Sequence, residues 1–578
     1  MPQLRLIPLR AASTADAIDC GMKTTTVLER LAKAASVVDH IRTISGVPSV
    51  SVGVLHHDDV LFRDSFGYLD EAKTQRPGAD TTYGIGSITK SFAAASIGKL
   101  FEEQDESSVT WSSPLEEIFP DYKPKDKRLR GLVSTADFLS HRTGLLGDMS
   151  VAAQGDLEFL LPPSELLAAA ANLDTVAPFR QQWLYNNWGY SMAGAVIEKL
   201  SKKPFHEYLQ EAILDPLALN RTTTAPDLGD DADFADAHST LQDGHPIALP
   251  RRLVFKNSIF ESAGGLYSTV NDLLTYAKAV LRDERDPQPS LLKNIPMLLS
   301  NQVPLDSPSR DYRFYGMGWV RTQLPGVVGL QGDNAGLFDI DELPVLGLGS
   351  SPMMAYYHQG AAYGYYSALY MFPGTRSAVV VLTNSMPLND PADWIAQVYV
   401  SALFGFSDGA EYIKLAEESR RRKLANVASM MAGFDKIRKE NPTRPQPLET
   451  YTGEFYNEVG NFFIDIRRHP NKSDCLELAF QGKETQVYEL RHLRGDVFEW
   501  ALDYNQSARR ARFAIWDPMY FEIDFVVNSS GTADSFSWAK DTDDFPQGIK
   551  MNRLSREAFR GGNVQHSPPD PQIGLRSA

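Results

Sequence analysis

The sequence is poor in cysteine, lacks any long apolar run and carries fewer basic than acidic residues. Cys20 and Cys475 are the only cysteines among 578 residues, so we expect no disulfide framework, and the thiols are too few for a thiolate metal site. No apolar run approaches the roughly 18 residues of a membrane-spanning helix. The net charge of −16 argues against nucleic acid or an anionic membrane as the main partner.

The N-terminus lacks the apolar core of a secretory signal peptide. Residues 1–10 contain two arginines and no acid, but not the run of about 7–15 apolar residues that such a peptide needs. We therefore expect a cytoplasmic protein, with a weak organelle presequence as the alternative. The remaining composition, 43% hydrophobic and 22% charged, is that of a globular chain longer than one ordinary domain.

Changes of pattern along the chain predict an α+β domain followed by an all-β domain. In the C-terminal region apolar and polar residues alternate, with turns about every 8–12 residues, which predicts an up-and-down β-barrel or sandwich. The predicted parts are a lead-in (1–25), the main domain (26–435), a proline-rich linker (436–447), the β-domain (448–555) and a polar tail (556–578).

The main domain opens with a helical pattern and contains several strand patterns. Short turns separate the last three strands, which implies antiparallel neighbours. The connection formed by residues 323–352 is long, glycine-rich and acidic, and we hypothesise that it is a lid or specificity loop over a cleft. The predicted elements are a helix (26–44), a hairpin (50–68) and strands at 315–320, 354–358, 365–372 and 377–384.

The motif Ser87-x-x-Lys90 is the first candidate for chemistry. Two glycines precede it and small and apolar residues follow, so we expect Ser87 at or near a helix N-terminus, with Lys90 one turn later on the same face. A hydroxyl beside an ammonium at that end of a helix is a plausible nucleophile. The motif alone fits a helix-capping serine better, because its spacing recurs at Ser96, Ser290 and Ser537.

Two further motifs, each occurring once, select Ser87 from these candidates. They are Tyr185-x-Asn187 and His358-x-Gly360. With the Ser87 motif, and in this order, they resemble the serine β-lactamase and penicillin-binding-protein superfamily, most of all its class C β-lactamase, D,D-peptidase and esterase branch. The resemblance covers about residues 25–405 and implies a β-lactamase/transpeptidase-like catalytic domain, in which helices flank an antiparallel sheet.

The resemblance implies a role for each residue of the first two motifs. Ser87 would be the acylated nucleophile, and the charge of Lys90 would lower the pKa values of Ser87 and Tyr185. Tyr185 would act as the general base and then protonate the leaving group. Asn187 would hold Lys90 together with an amide or carbonyl group of the substrate.

The third motif is implied to bind the substrate. The backbone N–H groups of Ser87 and Ala361 would form an oxyanion hole, and His358 and Gly360 would contact the substrate. Many β-lactamases carry Lys-Thr-Gly on this strand, whereas a histidine, which titrates near neutral pH, binds a carboxylate more weakly. Penicillin hydrolysis is therefore not expected as the main activity. We expect His141 to brace a turn, although a catalytic role is the alternative.

The sequence thus predicts a serine hydrolase that forms an acyl-enzyme with an ester, amide or lactone of a small molecule, of the esterase or D-amino-acid peptidase type. Two alternatives stay open. One is an acyltransferase that passes the acyl group to an alcohol or amine, and the other is a catalytically silent binding or sensor protein. No metal or cofactor is expected; the expected partner is a small-molecule acyl substrate, and a homo-oligomer is allowed.

Overall fold

The structure is a computed structural model that describes most of the chain. The described residues are 14–70, 74–103, 109–226, 233–285, 291–306, 311–407, 409–543 and 545–553, with only the backbone described for residues 14–25. Residues 1–13 of the predicted lead-in and the predicted tail (556–578) lie outside them.

Internal contacts divide the chain into two compact units that are not contiguous in sequence. The larger unit comprises the described residues up to Met149, Pro162–Ala428 and Tyr504–Ala514, and the smaller comprises Ser150–Leu161, Ser429–Asp503 and the described residues from Ile515. Two short segments therefore belong to the other unit than the predicted boundaries place them in: Ser150–Leu161 to the smaller unit and Tyr504–Ala514 to the larger one. Tyr488 donates a hydrogen bond to Gln154 O within the smaller unit, and Gln242 N donates to Asn505 Oδ1 within the larger one.

One eight-stranded sheet organises the larger unit. Its strands are β1 (Ser49–His56), β2 (Asp59–Gly67), β3 (Val303–Pro304), β4 (Arg313–Tyr315), β5 (Val320–Leu324), β6 (Met353–Ala362), β7 (Tyr365–Phe372) and β8 (Ser377–Thr383). All strand pairs are antiparallel, and the order across the sheet is β2-β1-β8-β7-β6-β5-β4-β3. The predicted antiparallel arrangement of the last three strands is confirmed. Two-residue or three-residue ladders pair Tyr83–Gly84 with Tyr267–Ser268, His238–Thr240 with Pro246–Ala248, and Gly326–Val327 with Val345–Leu346.

The strand predicted at residues 315–320 is wrong. The chain instead turns between β4 and β5, and Gly318 in that turn has a φ of +85°. A Cβ atom on Gly318 would lie 2.9 Å from Ser91 Cα and 3.1 Å from Lys90 O. The turn therefore needs glycine both for its backbone angle and for its close approach to the helix that follows Ser87.

Helices cover both faces of the sheet. The long ones are α1 (Thr14–Ser45), α2 (Thr89–Glu103), α3 (Asn187–Ser201), α4 (Val270–Arg285), α5 (Pro391–Phe404) and α6 (Tyr412–Glu440). Short helices of the larger unit span Leu115–Ile118, Thr135–Leu139, Leu166–Ala171, Phe205–Leu209, Glu261–Gly264, Ile295–Leu298 and Tyr504–Arg509. In the smaller unit a short helix spans Pro518–Phe521. Val50, Val52 and Val54 of β1 share a core with α1 and α5. Gly53 faces the opposite way, because a Cβ there would overlap Val270 of α4.

Two predicted boundaries fall inside long helices. Helix α1 begins at Thr14, within the predicted lead-in, and α6 continues to Glu440, within the predicted linker. The first proline after the end of α6 is Pro442, and the residues of its last turns, such as Lys436 and Arg438, are good helix formers. The linker is thus shorter than the composition suggested.

Parts of residues 323–352 pack into the core. Val328, Leu343 and Leu346 pack in the same apolar core as α1 and α5, on the sheet face opposite α4. The segment is also held by a reciprocal pair, in which Asn334 Nδ2 donates to Asp390 O and Asp390 N donates to Asn334 Oδ1, at 2.8 and 2.9 Å. Other residues of the segment are exposed, and its role as a lid or specificity loop stays a prediction.

The smaller unit contains a closed, eight-stranded antiparallel barrel, which confirms the predicted C-terminal β-domain. Its interior is aromatic and includes Phe455, Phe480, Trp500 and Trp538, all fully buried. The strands in barrel order are β9 (Gly453–Tyr456), β10 (Phe463–Arg468), β11 (Leu476–Phe480), β12 (Val487–Arg494), β13 (Val497–Glu499), β14 (Glu522–Val527), β15 (Ala533–Trp538) and β16 (Ile549–Arg553).

Within the described ranges, none of the helices is long and apolar enough to cross a membrane. The cytoplasmic location and the homo-oligomer stay predictions.

Candidate active site

Ser87 lies in the single helical turn Gly86–Ile88 that leads into α2, and its side chain is half-buried. Lys90, on the first turn of α2, is completely buried. Its Nζ donates to Ser87 Oγ at 2.9 Å and to Ala263 O at 2.7 Å. The helical spacing of three residues therefore brings the amine directly against the hydroxyl.

Tyr185 approaches Ser87 from the segment that precedes α3. Its hydroxyl donates to Ser87 Oγ at 2.7 Å, so that two side chains converge on one oxygen. Lys90 Nζ lies 5.0 Å from the centre of the Tyr185 ring. Asn186 fixes the entry to α3 because its side chain accepts a hydrogen bond from Trp188 N at 2.9 Å.

Burial shifts the pKa values of this pair in opposite directions. It lowers the pKa of Lys90 well below its usual range, and it raises the pKa of Tyr185, against a smaller lowering by the hydrogen bond with Ser87. A neutral amine can accept a proton from Ser87, whereas a phenol with a raised pKa keeps its own. This electrostatic pattern favours Lys90 over Tyr185 as the proton acceptor and leaves Tyr185 as a donor.

The edge of β6 approaches the Ser87 turn closely enough for an oxyanion hole. Gly86 has a φ of +50°, and a Cβ atom there would lie 2.7 Å from both N and O of Ala361. A Cβ on Gly360 would overlap Ile85 O and Ser367 Oγ, and Ser367 Oγ donates to Ile85 O at 2.8 Å. Two glycines thus allow the two backbones to meet, and Ala361 is exposed at the meeting point.

The His358 ring is engaged inside the protein, and its predicted contact with substrate stays a prediction. Its ring is completely buried, Nδ1 lies 2.5 Å from Gln359 O, and Nε2 lies 3.0 Å from the Tyr315 hydroxyl. Burial and the nearby charge of Lys90 lower the pKa of His358 to about 3, despite an opposing effect of the Gln359 backbone. Both ring nitrogens are engaged inside the protein, and the ring is neutral at pH 7.

Asn187 does not make its predicted contact with Lys90. Its Nδ2 donates to Met149 Sδ at 3.3 Å, and no hydrogen bond joins it to Lys90, although the structure describes both residues. Its half-buried side chain leaves the second predicted role, binding a substrate amide or carbonyl, as a prediction.

Two residues that support the site carry no signal in the sequence. Ala263 anchors Lys90 through a backbone oxygen, which any residue could supply. Tyr315 bonds to His358 and lies 4.8 Å, ring centre to ring centre, from His141. His141 in turn accepts a hydrogen bond from Asn186 N at 3.0 Å and lies 4.5 Å from the Tyr185 ring, which fits the bracing role that we expected for it.

Among the described residues, no group of three or more His, Cys, Asp and Glu side chains is placed to hold a metal ion. The fold and the converging serine, lysine and tyrosine instead define a member of the serine β-lactamase and penicillin-binding-protein superfamily. Residues 34–402, more than half of the chain, match the model of the Beta-lactamase family, and the chain belongs to that family. The resemblance found in the sequence is thereby confirmed, as is the β-lactamase/transpeptidase-like fold. Residues 437–552 match a domain of unknown function, DUF3471.

Relatives of this chain are distant. It is 26% identical over 252 residues to unguisins hydrolase ungD of Aspergillus violaceofuscus, and the match covers 41% of this chain but only 43% of that protein. It is 23% identical over 351 residues to penicillin-binding protein 4 of Amycolatopsis lactamdurans, covering 60% and 83%. The octameric penicillin-binding protein homologue from Pyrococcus abyssi, a solved structure, shares 20% identity at a TM-score of 0.50, covering 92% and 100%, and this likeness shows the fold alone.

Proposed function

We propose that this protein is a serine hydrolase that forms an acyl-enzyme on Ser87 with an ester or amide of a small molecule. The observation that carries the proposal is the position of Ser87 Oγ, 2.9 Å from a buried amine and 2.7 Å from a tyrosine hydroxyl. A hydroxyl needs an adjacent base to become a good nucleophile, and both neighbours lie within reach of proton transfer.

The first half-reaction uses each of these groups once. Ser87 Oγ attacks the substrate carbonyl carbon while its proton passes to the neutral amine of Lys90. The negative carbonyl oxygen is stabilised by the N–H groups of Ser87 and Ala361. The bond to the leaving group then breaks. The Tyr185 hydroxyl donates its proton to the leaving oxygen or nitrogen and takes up the proton that Lys90 received from Ser87. A water molecule attacks the acyl carbon in the same way, which releases the acid and restores Ser87.

The substrate that fits this site best carries no carboxylate beside the scissile bond. The strand position at which many β-lactamases have a lysine holds His358, which is buried and neutral. A neutral ring engaged by Tyr315 cannot form an ion pair with a substrate. We therefore favour neutral esters and amides, with β-lactam hydrolysis weak at most.

Hydrolysis is preferred here over transfer to another acceptor. A relative named as a hydrolase supports this preference. Transfer to an alcohol or amine is the alternative, and the substrate panel with an added acceptor tests it.

The test is a substrate panel with a matched pair of variants. The panel contains 4-nitrophenyl esters, D-amino-acid anilides and a chromogenic cephalosporin, each with and without added methanol as an acceptor. Ser87→Ala should abolish turnover, whereas Ser96→Ala, in the second Ser-x-x-Lys spacing, should retain it because Ser96 is fully buried. Turnover that survives Ser87→Ala contradicts the proposal, and a product that forms only with methanol would point to a transferase.

A further inference from the structure

A second cavity of about 560 Å³ lies in the larger unit, and none of Ser87, Lys90 and Tyr185 lines it. Its volume falls within the usual range of small-molecule sites. Phe119, Leu166, Phe205 and Ile259 line it with apolar surface, and each of these side chains is more than nine-tenths buried. These four side chains give the apolar part of a small molecule a surface to pack against.

Polar side chains also line the cavity, and one of them, Glu261, is a buried acid. Glu261, which lines it, is 8% exposed, and its Oε1 has no hydrogen-bond partner among the described residues. A buried carboxylate oxygen without a partner is costly, and a ligand that donates to it would remove that cost. Burial raises the pKa of Glu261, while the Asn257 backbone and His206 act in the opposite direction.

The shape and charge of the cavity favour a positively charged organic ligand. A metal ion needs several converging ligands, and in the described ranges no group of three or more Asp, Glu, His or Cys side chains is placed to hold one. An ammonium group on an apolar body would match one carboxylate inside apolar walls. Glu198 at the rim adds a second negative charge, although the exposed Lys199 beside it opposes this in part.

The cavity is also linked to the candidate active site through one short helix. Glu261 begins the helix Glu261–Gly264, and Ala263 in that helix accepts the hydrogen bond from Lys90 Nζ. Between them, Ser262 Oγ donates to Tyr190 O of α3 at 2.9 Å. A ligand that engages Glu261 therefore acts two residues from the carbonyl that holds the candidate base.

We propose that this cavity is an effector site for a small organic ammonium ion with an apolar body, recognised by Glu261 and separate from the cleft at Ser87. Binding at this site changes the position of Ala263 and with it the rate at which Ser87 is acylated. Binding itself does not depend on the proposed function, whereas the effect on Ser87 rests on it.

Phenethylammonium is a suitable probe, and 2-phenylethanol is its neutral counterpart. In calorimetric titrations of the whole protein we expect saturable binding of the ammonium and at least about tenfold weaker binding of the alcohol. Glu261→Gln should weaken ammonium binding about tenfold or more, whereas Glu207→Gln, an exposed acid on the neighbouring helix, should leave it unchanged. Equal binding of the two probes, or unchanged binding to Glu261→Gln, would overturn the site.

A second variant keeps the test decisive if Glu261→Gln does not fold. Ala195 lines the cavity from α3 and is only half-buried, so Ala195→Trp can fill the space from its rim. It should abolish ammonium binding, while a ligand in the Ser87 cleft would be unaffected. Affinity should also fall at acid pH, because Glu261, whose pKa is raised by burial, gains a proton and loses its charge; affinity that rises at acid pH would contradict the site.

The effector role is tested by the rate at which a fluorophosphonate labels Ser87. Saturating phenethylammonium should change this rate about fivefold or more in the native protein and leave it unchanged in Ala195→Trp. Tight binding with no change in labelling would overturn the effector role. Failure of the labelling reaction itself, with binding intact, would instead count against the proposed function.

Discussion

The substitution Gly86→Ala adds one methyl group between the two segments of the proposed oxyanion hole and so tests its geometry. Gly86 has a φ of +50°, and the new Cβ would lie 2.7 Å from N and O of Ala361, closer than real Cβ contacts occur. The Ser87 turn or the edge of β6 must then move apart. Since each segment carries one of the two proposed N–H donors, the methyl group moves one donor away from the other.

The expected loss can be compared with that of a removed oxyanion donor. Loss of one such donor costs about 10²- to 10³-fold in rate, or about 2.7–4 kcal/mol of transition-state stabilisation. We expect kcat/KM for a 4-nitrophenyl ester to fall by about 10²-fold or more. The left-handed backbone adds a stability cost of about 1–2 kcal/mol, measurable by urea unfolding.

Gly131→Ala is the matched control for this experiment. Gly131 has a φ of +67°, but a Cβ there would meet nothing within 4 Å. It should carry a similar stability cost of about 1–2 kcal/mol and leave kcat/KM unchanged. If Gly86→Ala retains activity within about threefold of Gly131→Ala, the assigned oxyanion hole is wrong.

Three further predictions address the remaining groups. Tyr185→Phe removes the hydroxyl that donates to Ser87 and should slow acylation about 10²-fold in stopped-flow assays; an unchanged rate would remove Tyr185 from the mechanism. Because burial lowers the pKa of Lys90, kcat/KM should rise with pH until Lys90 is neutral and then stay level, since burial raises the pKa of Tyr185; a steady fall with pH would contradict this order. Asp137→Asn should destabilise the fold by about 3 kcal/mol in urea, because Asp137 is buried between Arg142 and Arg180.

The Asp137 prediction has a defined pH dependence. Burial raises the pKa of Asp137, but the hydrogen bonds from Arg180 and Arg142 outweigh it, so that the folded-state pKa lies below the usual value of about 3.9. Its stabilising contribution is therefore complete above that value and is lost as pH falls through the folded-state pKa. The difference in stability between the native protein and Asp137→Asn should shrink in acid, and a difference that grows in acid would contradict the ion pairs.

The local sequence pattern was sufficient to predict the strands and the helix nearest the candidate active site. Alternation and short turns predicted strands β6, β7 and β8, because each is buried and its neighbours are adjacent in sequence. The run of small and apolar residues after Ser87 predicted α2 for the same local reason. The strand at residues 315–320 failed, since Gly316 and Gly318 form a turn whose shape is imposed by contact with α2, a partner remote in sequence.

Residue types at the site were predictable, but their environments were not. Spacing placed Lys90 beside Ser87, yet the choice between Lys90 and Tyr185 as base depends on burial by the rest of the fold. The family resemblance implied that His358 contacts substrate, and its motif gives no sign of burial. Its hydrogen bond with Tyr315 becomes visible only when β4 and β6 come together. The core packing of Leu343 and Leu346 within residues 323–352 was likewise not predictable, since such scattered contacts leave no periodic signal.

The central claim is that Ser87 is the nucleophile, and the most direct measurement is the site of covalent labelling. After reaction with a fluorophosphonate, trypsin separates residues 74–90, which contain Ser87, from residues 91–99, which contain Ser96 and the second Ser-x-x-Lys spacing. We predict that mass spectrometry finds the adduct on Ser87 in the first peptide, in proportion to the activity lost. Complete loss of activity with Ser87 unmodified, or an adduct on another serine, would contradict the claim.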